Sequence, residues 1–130
     1  MTKSENVKRS NEVNNVFAIS IGIFLLIEGV WGLFSDVVFG IFTTNITHAV
    51  IHIILGILGV VLGFRKNAGG FCTFLGILLV LVGLFRFVSG TGEFLIKVLN
   101  INEPVAYLNI IVGLISLSVV YYRRPGVLKN

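Results

Sequence analysis

The sequence predicts an all-α membrane protein, a bundle of four transmembrane helices built from two tandem helix hairpins. Of its 130 residues, 55% are hydrophobic and only 12% are charged, and the mean hydropathy is +0.97. Soluble domains carry about 25% charged residues. The hydrophobic residues gather in four segments, each close to the roughly 20 residues that a membrane-spanning helix requires. These segments cover residues 16–34, 46–64, 71–89 and 105–122.

The four spans form one membrane domain, residues 16–124, between a polar cytoplasmic segment, residues 1–15, and a cytoplasmic tail, residues 125–130. The first span is longer than the apolar core of a signal peptide, and no small-residue cleavage site follows it. We therefore expect this span to remain in the protein.

The basic residues predict the orientation of the bundle. If four helices cross the membrane, eight of the ten Lys and Arg residues lie on one side, and only Arg86 and Lys97 lie elsewhere. The positive-inside rule then places both termini in the cytoplasm of a cell-membrane protein. Because the charges flank hydrophobic spans and form no continuous basic surface, we expect no nucleic-acid partner. The eight residues are Lys3, Lys8, Arg9, Arg65, Lys66, Arg123, Arg124 and Lys129.

The first span has small residues along one side. Gly22, Gly29 and Gly32 share this side, and Glu28 lies beside them. Apolar surface gains little by leaving lipid, so stripes of small residues serve to bring helix backbones close together. The connection that follows, SDVVFGIFTTN, is apolar enough to lie along the membrane surface or to form a short re-entrant turn.

The polar residues and glycines of the second span lie on one face. They recur at intervals of three or four residues, the spacing of a single helix face. We expect this face to turn toward another helix, with Thr44 or Asn45 capping the helix through a side-chain oxygen. The residues on the face are Asn45, His48, His52, Gly56, Gly59 and Gly63.

The third span follows a short turn, RKNAGG, whose length and glycines predict an antiparallel hairpin. It carries Gly76, Gly83 and Arg86, and we expect the glycines at 90 and 92 to end it. In the polar connection to the fourth span, FLIKVL is expected to form a short interfacial helix. Pro104 suits the first turn of the fourth span, where a backbone N–H has no helical partner.

An internal repeat relates the two halves of the chain. A shift of 57 residues matches NITHAVIHIILG to NEPVAYLNIIVG, and a shift of 54 residues aligns the first span with the third. Each repeat is one helix hairpin, so both copies point the same way and are related by an axis near the membrane normal. The first shift pairs Asn45 with Asn102, His52 with Asn109, Gly56 with Gly113 and Gly59 with Ser116, and the second pairs Gly22 with Gly76, Gly29 with Gly83 and Ser35 with Ser89.

A family resemblance rests on the start of the second span. The pattern N-x-x-H-x-x-x-H-x-x-x-G at Asn45, His48, His52 and Gly56 follows a GVWGLF helix end and recurs weakly from residue 102 to 113. It resembles the small four-helix membrane family catalogued as domain of unknown function 4383, over residues 16–122. The second copy has an asparagine where a histidine would make a symmetric two-histidine site. The resemblance implies an integral membrane protein and brings no assigned reaction.

Six polar residues form a candidate polar cluster in the extracytoplasmic leaflet. Ionisable groups are costly in lipid and usually face the bundle interior or water. Because Arg86 aligns with Gly32, one turn from Glu28, we expect Arg86 and Glu28 to approach each other beside His52. Two alternatives stay open: Arg86 snorkels to the outer headgroups, or a charge pair serves structure alone. The cluster comprises Glu28, Asn45, His48, His52, Arg86 and Asn109.

Several kinds of site are disfavoured by the sequence. Two histidines one turn apart supply only two metal ligands, so we expect no metal and read them as hydrogen-bonding to neighbouring helices. The Gly-Gly at 69–70 lacks the Lys and Ser/Thr of a phosphate loop, so no nucleotide and no cofactor are expected. The helix-packing glycines are Gly22, Gly29, Gly32, Gly56, Gly59, Gly63, Gly76, Gly83 and Gly113.

Three function classes remain. A structural or accessory membrane protein that serves helix packing or partner docking ranks first. Binding or transport of a small solute, proton or lipid through the polar cluster is the alternative. A membrane enzyme ranks last, because no convincing nucleophile or full metal-ligand set is present. The expected partners are the lipid bilayer and either a second copy or another membrane protein.

Overall fold

The computed structural model describes the backbone of residues 3–121 and the side chains of residues 4, 5 and 12–121. The fold is helical apart from one short antiparallel ribbon, in which Val37 pairs with Thr43 and Val38 with Phe42. The predicted tail and the last residue of the fourth predicted span lie outside the described residues. The elements in chain order are α1 (Lys3–Phe34), β1 (Val37–Val38), β2 (Phe42–Thr43), α2 (Ile46–Phe64), α3 (Gly69–Phe85), α4 (Thr91–Leu99) and α5 (Glu103–Tyr121).

Three of these helices are long and apolar enough to cross a membrane. They are α1 from Glu12 onward, α2 and α5, with lengths of 23, 19 and 19 residues. Helix α3 is apolar but shorter, with 17 residues. The composition and helix lengths therefore indicate a membrane protein.

The third helix ends before the predicted boundary of residue 89. The last residue of α3 is Phe85, and the Thr91 hydroxyl donates a hydrogen bond of 2.8 Å to the Phe85 carbonyl. Gly90 follows with a φ of 92°, a left-handed conformation that suits glycine. The chain therefore turns at residues 86–90 and starts the short helix α4, which contains the FLIKVL segment.

The chain packs as two helix pairs, α1 with α2 and α3 with α5, whereas α2 contacts α3 only slightly despite the short turn between them. The C-terminal end of α1 and the N-terminal end of α2 lie at one end of the bundle, together with the β-ribbon and α4. We call this the ribbon end, and the opposite end, which holds the connection between α2 and α3, the turn end. The two pairs meet over a core that includes Leu25, Leu75 and Leu79.

Glycines set the close approach within each pair. A Cβ built on Gly22 would lie 2.7 Å from the carbonyl oxygen of Gly56, and one on Gly56 would lie 2.7 Å from that of Gly22. The corresponding distances between Gly76 and Gly113 are 2.9 and 2.8 Å. No real side chain tolerates such contacts with backbone, so these positions require glycine. All nine glycines proposed for helix packing are buried and face the other helix of their pair.

The β-ribbon folds back along α1. Its turn places Phe39 at φ 55° and Gly40 at φ 75°, and Ile41 N–H donates to the Val38 carbonyl at 3.3 Å. A left-handed phenylalanine is unusual. Here the Phe39 ring packs on Phe24, with ring centroids 6.0 Å apart, and on Trp31, at 4.9 Å. These aromatic contacts hold the turn against the side of α1.

Candidate functional site

A small cavity lies inside the bundle near the ribbon end. Its volume is about 10 Å³, and residues of α1, α2, α5 and the β-ribbon region line it. We call it the chamber. Its lining residues are Glu28, Val38, Phe42, Thr43, Thr44, His48, His52, Val105, Leu108 and Asn109.

Glu28 reaches the chamber because it continues the buried stripe of α1. Ala18, Ile21 and Leu25 precede it at intervals of three or four residues, and all are buried. Glu28 itself is 7% exposed. The carboxyl group therefore faces the bundle interior and is shielded from lipid, in agreement with the cost of a carboxylate in hydrocarbon.

The two histidines occupy successive turns of α2. Their ring centroids are 4.2 Å apart, with the rings inclined at 64°. Both are buried, and His48 Nδ1 has no hydrogen-bond partner. The backbone carbonyl of Leu99 lies near the His48 ring.

Asn109 completes the polar wall from the other helix pair. It lies on α5, is buried, and lines the same chamber as Glu28, His48 and His52. Four of the six residues in the predicted polar cluster are thus brought together.

The other two members of the predicted cluster lie elsewhere. Asn45 is the N-cap of α2, and Arg86 donates from Nε to the Ile101 carbonyl at 2.7 Å. Neither lines the chamber, and no ion pair joins Arg86 to Glu28 among the described side chains. The predicted approach of Arg86 to Glu28 is not seen. Helix α3 ends at Phe85, and the Arg86 guanidinium donates to the Ile101 carbonyl instead.

Two asparagines close the ribbon end above the chamber. The Oδ1 atom of Asn45 accepts from His48 N–H at 2.8 Å, and its Nδ2 donates across the molecule to the Val98 carbonyl at 2.8 Å. Asn102 likewise caps α5 and bonds the opposite half of the chain. We call these two residues and their four bonds the asparagine clamp. The bonds of Asn102 are Val105 N–H to Oδ1 at 3.1 Å and Nδ2 to the Ile41 carbonyl at 2.9 Å.

Further hydrogen bonds join the residues that cover the chamber at the ribbon end, which we call the roof. The Thr43 hydroxyl donates to the Asn100 carbonyl and accepts from Asn102 N–H at 3.0 Å. The Asn100 amide donates to the Thr44 carbonyl at 2.7 Å. None of these roof residues was a site candidate from sequence. The signal that points to them is the alignment of TTN at 43–45 with NIN at 100–102 in the predicted internal repeat.

A second cavity of about 10 Å³ lies on the other side of Glu28 and Asn109. Its remaining walls are the apolar residues Ile21, Phe24, Leu25, Leu79, Leu108 and Val112. The packed apolar core lies beyond this cavity, toward the turn end, and contains the fully buried Leu75. On this side, within the described residues, the chamber is therefore bounded by an apolar layer.

The chemistry available in the chamber is hydrogen bonding and proton exchange. Glu28, His48 and His52 are ionisable groups, and Asn109 adds an amide. Among the side chains at 4, 5 and 12–121, no three His, Cys, Asp or Glu residues are placed to hold one metal ion. The described part of the site also presents no Ser or Cys nucleophile in the chamber lining.

Comparison with known families gives one result. A family model described as domain of unknown function 4383 matches residues 15–121, which contain the chamber, the asparagine clamp and all the packing glycines. No curated protein and no solved structure matches the chain. With most of its length covered by that model, the chain belongs to the family of domain of unknown function 4383.

Proposed function

We propose that the chain is an integral protein of the cell membrane in which α1, α2, α3 and α5 all cross the bilayer, and that its role is structural or accessory. The apolar helices and their outward-facing hydrophobic side chains support the membrane location. The basic residues support cytoplasmic termini and a cytoplasmic turn end.

A duplicated hairpin is part of this proposal, and matching contacts support it. A Cβ on Gly29 would lie 2.6 Å from Ile53 Cγ1, and one on Gly83 would lie 2.5 Å from Ile110 Cγ1. The two pairs are related by the same shifts of 54 and 57 residues as the sequence repeat. The bonds of the asparagine clamp obey the 57-residue shift as well. A pseudo-twofold axis along the membrane normal accounts for all these correspondences.

The small size of the chamber is the observation that best supports a structural role. The chamber has room for about one water molecule, and an apolar layer lies beyond it. All nine packing glycines are used within the helix pairs. A second copy or another membrane protein would therefore dock on the outward apolar faces, which otherwise contact lipid.

A flux assay tests this role. The purified protein is reconstituted into vesicles loaded with a pH-sensitive dye, and the outside is acidified. The pH gradient is expected to decay at the rate of protein-free vesicles, and a co-loaded small fluorescent solute is expected to stay inside. Protein-dependent loss of either would contradict a closed structural protein.

One observation favours a second candidate function, the reversible binding of a proton. Glu28, His48 and His52 share a cavity that excludes larger ligands, and His48 Nδ1 is left without a partner. Glu28→Gln keeps the shape of the side chain and removes the carboxyl proton. Potentiometric titration of the folded variant should show one titrating group fewer than the wild type. Identical titration curves would exclude Glu28 as a proton site.

A further inference from the structure

The His48 ring, which lines the chamber, has a nitrogen atom that lacks a hydrogen-bond partner. His48 is 5% exposed, and its Nδ1 is fully enclosed. The Leu99 carbonyl lies near the ring, and in the tautomer that carries its proton on Nε2 the Nδ1 atom is unprotonated. The lone pair of Nδ1 is then an acceptor without a donor. Buried polar atoms in native proteins are almost always paired, often with an internal water.

The size of the chamber restricts the missing donor. A volume of about 10 Å³ is close to the minimum for one water molecule. A larger solute, a lipid chain or an organic ligand would not fit. The donor must therefore be a single heavy atom that carries its own hydrogens.

The walls supply the further partners that such a molecule requires. Glu28 faces the space from α1, His52 from α2 and Asn109 from α5. An internal water needs two to four polar partners, and these side chains with His48 meet that number. The cavity beyond Glu28 is lined mainly by apolar groups, and apolar cavities of this size stay dry.

We infer that the chamber holds one internal water molecule, which donates a hydrogen bond to His48 Nδ1 and links that ring to the Glu28 carboxyl group and the Asn109 amide. The ionisable groups around it are Glu28 on α1 and His48 and His52 on α2. The lining from α5 and from the ribbon region has none, and Arg86, which follows α3, is engaged with Ile101.

The water adds to the second candidate function a route for the proton between Glu28 and His48. This route rests on the proton-binding proposal. When Glu28 is protonated, its O–H bond breaks as the water oxygen accepts the proton. One O–H bond of the water breaks as His48 Nδ1 gains a proton. The water is regenerated, and a neutral pair becomes a carboxylate and an imidazolium. The apolar layer below confines this exchange to the ribbon end.

Nuclear magnetic resonance of the full chain in lipid nanodiscs, with ¹⁵N-labelled histidine, tests the inference without a variant. The Nδ1 signal of His48 should have the shift of a hydrogen-bonded acceptor, and magnetisation should pass from water to the His48 ring. A ¹⁵N chemical shift typical of a nitrogen lone pair without a hydrogen bond, with no magnetisation transfer from water, would overturn the proposal.

A matched variant identifies the signal. His48→Val copies Val105, the residue 57 positions later that also lines the chamber, so it should keep the fold and abolish the water transfer. Persistence of the transfer in this variant would place the water elsewhere and overturn the assignment. If the water is seen but Glu28→Gln leaves the titration curve unchanged, the water stands and the proton-binding function fails.

Discussion

At the scale of single residues, the absence of a side chain determines how closely the helices of each pair approach. Gly56 and Gly22 each face the other's carbonyl oxygen, and Gly59 faces that of Ala18. Such contacts are predictable from sequence as a stripe of small residues. Which backbone atom each glycine meets depends on the register of the two helices, and sequence spacing alone does not give that register.

Gly56→Leu is expected to lower the free energy of unfolding by about 1–3 kcal/mol, because the added side chain would force α1 and α2 apart. Ile54→Leu is the matched control, since Ile54 is 54% exposed and faces outward. Unfolding in detergent, followed by circular dichroism, measures both. Equal stability of the two variants would show that the stripe is not a tight interface.

Glu28 and Arg86 are expected to act independently. Arg86 is bound to the Ile101 carbonyl and no ion pair links it to Glu28, so the effects of Glu28→Gln and Arg86→Gln on unfolding free energy should add within about 0.5 kcal/mol. The double variant measured against both single variants provides the check. A double variant more stable than either single one would indicate a pairing that the structure does not contain.

The same pair shows the limit of residue-level inference. Burial of Glu28 follows from the i, i+3, i+7 stripe of α1, and its place in the same chamber as His52 follows from equal depth. The position of Arg86 does not follow, because it depends on where α3 ends and on a carbonyl supplied by the chain 15 residues later.

At the scale of elements, helix ends with local caps were predictable and those with distant partners were not. The predicted second span coincides with α2 at Ile46–Phe64, where Asn45 provides an ordinary N-cap. The end of α3 depends instead on the hydroxyl of Thr91, which lies beyond the helix. The β-ribbon was expected only as an apolar connection, because its contact with Phe24 arises from tertiary packing.

The asparagine clamp joins elements that are far apart in sequence, and Asn102→Asp isolates its contribution. Aspartate keeps the oxygen that caps α5 and removes the N–H that reaches Ile41. The expected loss is about 1 kcal/mol, the net value of one hydrogen bond. Asn102→Ala should lose about 1 kcal/mol more, because the cap is also removed.

Chemical unfolding of the two Asn102 variants and the wild type separates these contributions. Equal stability of Asn102→Asp and the wild type would mean that the cross-chain bond adds nothing.

At the scale of the whole molecule, the orientation in the membrane remains a prediction from the basic residues. Cys72 is fully buried, so its reactivity reports burial and not sidedness. In a Cys72→Ala background, Lys66→Cys and Thr91→Cys place exposed thiols at the two ends of the bundle. In intact cells, a membrane-impermeant thiol reagent should label the second and spare the first.

The labelling experiment has two informative alternatives. Labelling of Lys66→Cys alone would reverse the orientation. Labelling of both positions in intact cells would contradict a four-span arrangement.

The pairing of helices was predictable as a whole, whereas the closing of the ribbon end was not. The two helix pairs follow from the predicted repeat and the glycine stripes. The short turn between α2 and α3 predicted a hairpin of those two helices, which contact each other only slightly. The clamp crosses between the halves through side-chain amides and loop carbonyls. The predicted repeat aligns Asn45 with Asn102, but spacing alone does not show that their amides reach the opposite half.

If α3 crosses the membrane as proposed, its shortness implies that the bilayer around this protein is uneven. Its 17 residues extend about 26 Å, against a hydrocarbon core of about 30 Å, so α3 is mismatched while α2 is nearly matched. Lipids beside α3 must compress or its flanking side chains must stretch, at a fraction of a kcal/mol per Å. The protein is therefore expected to unfold at a higher temperature in short-chain than in long-chain phosphatidylcholine vesicles. A melting temperature independent of chain length would show that α3 does not span the bilayer on its own.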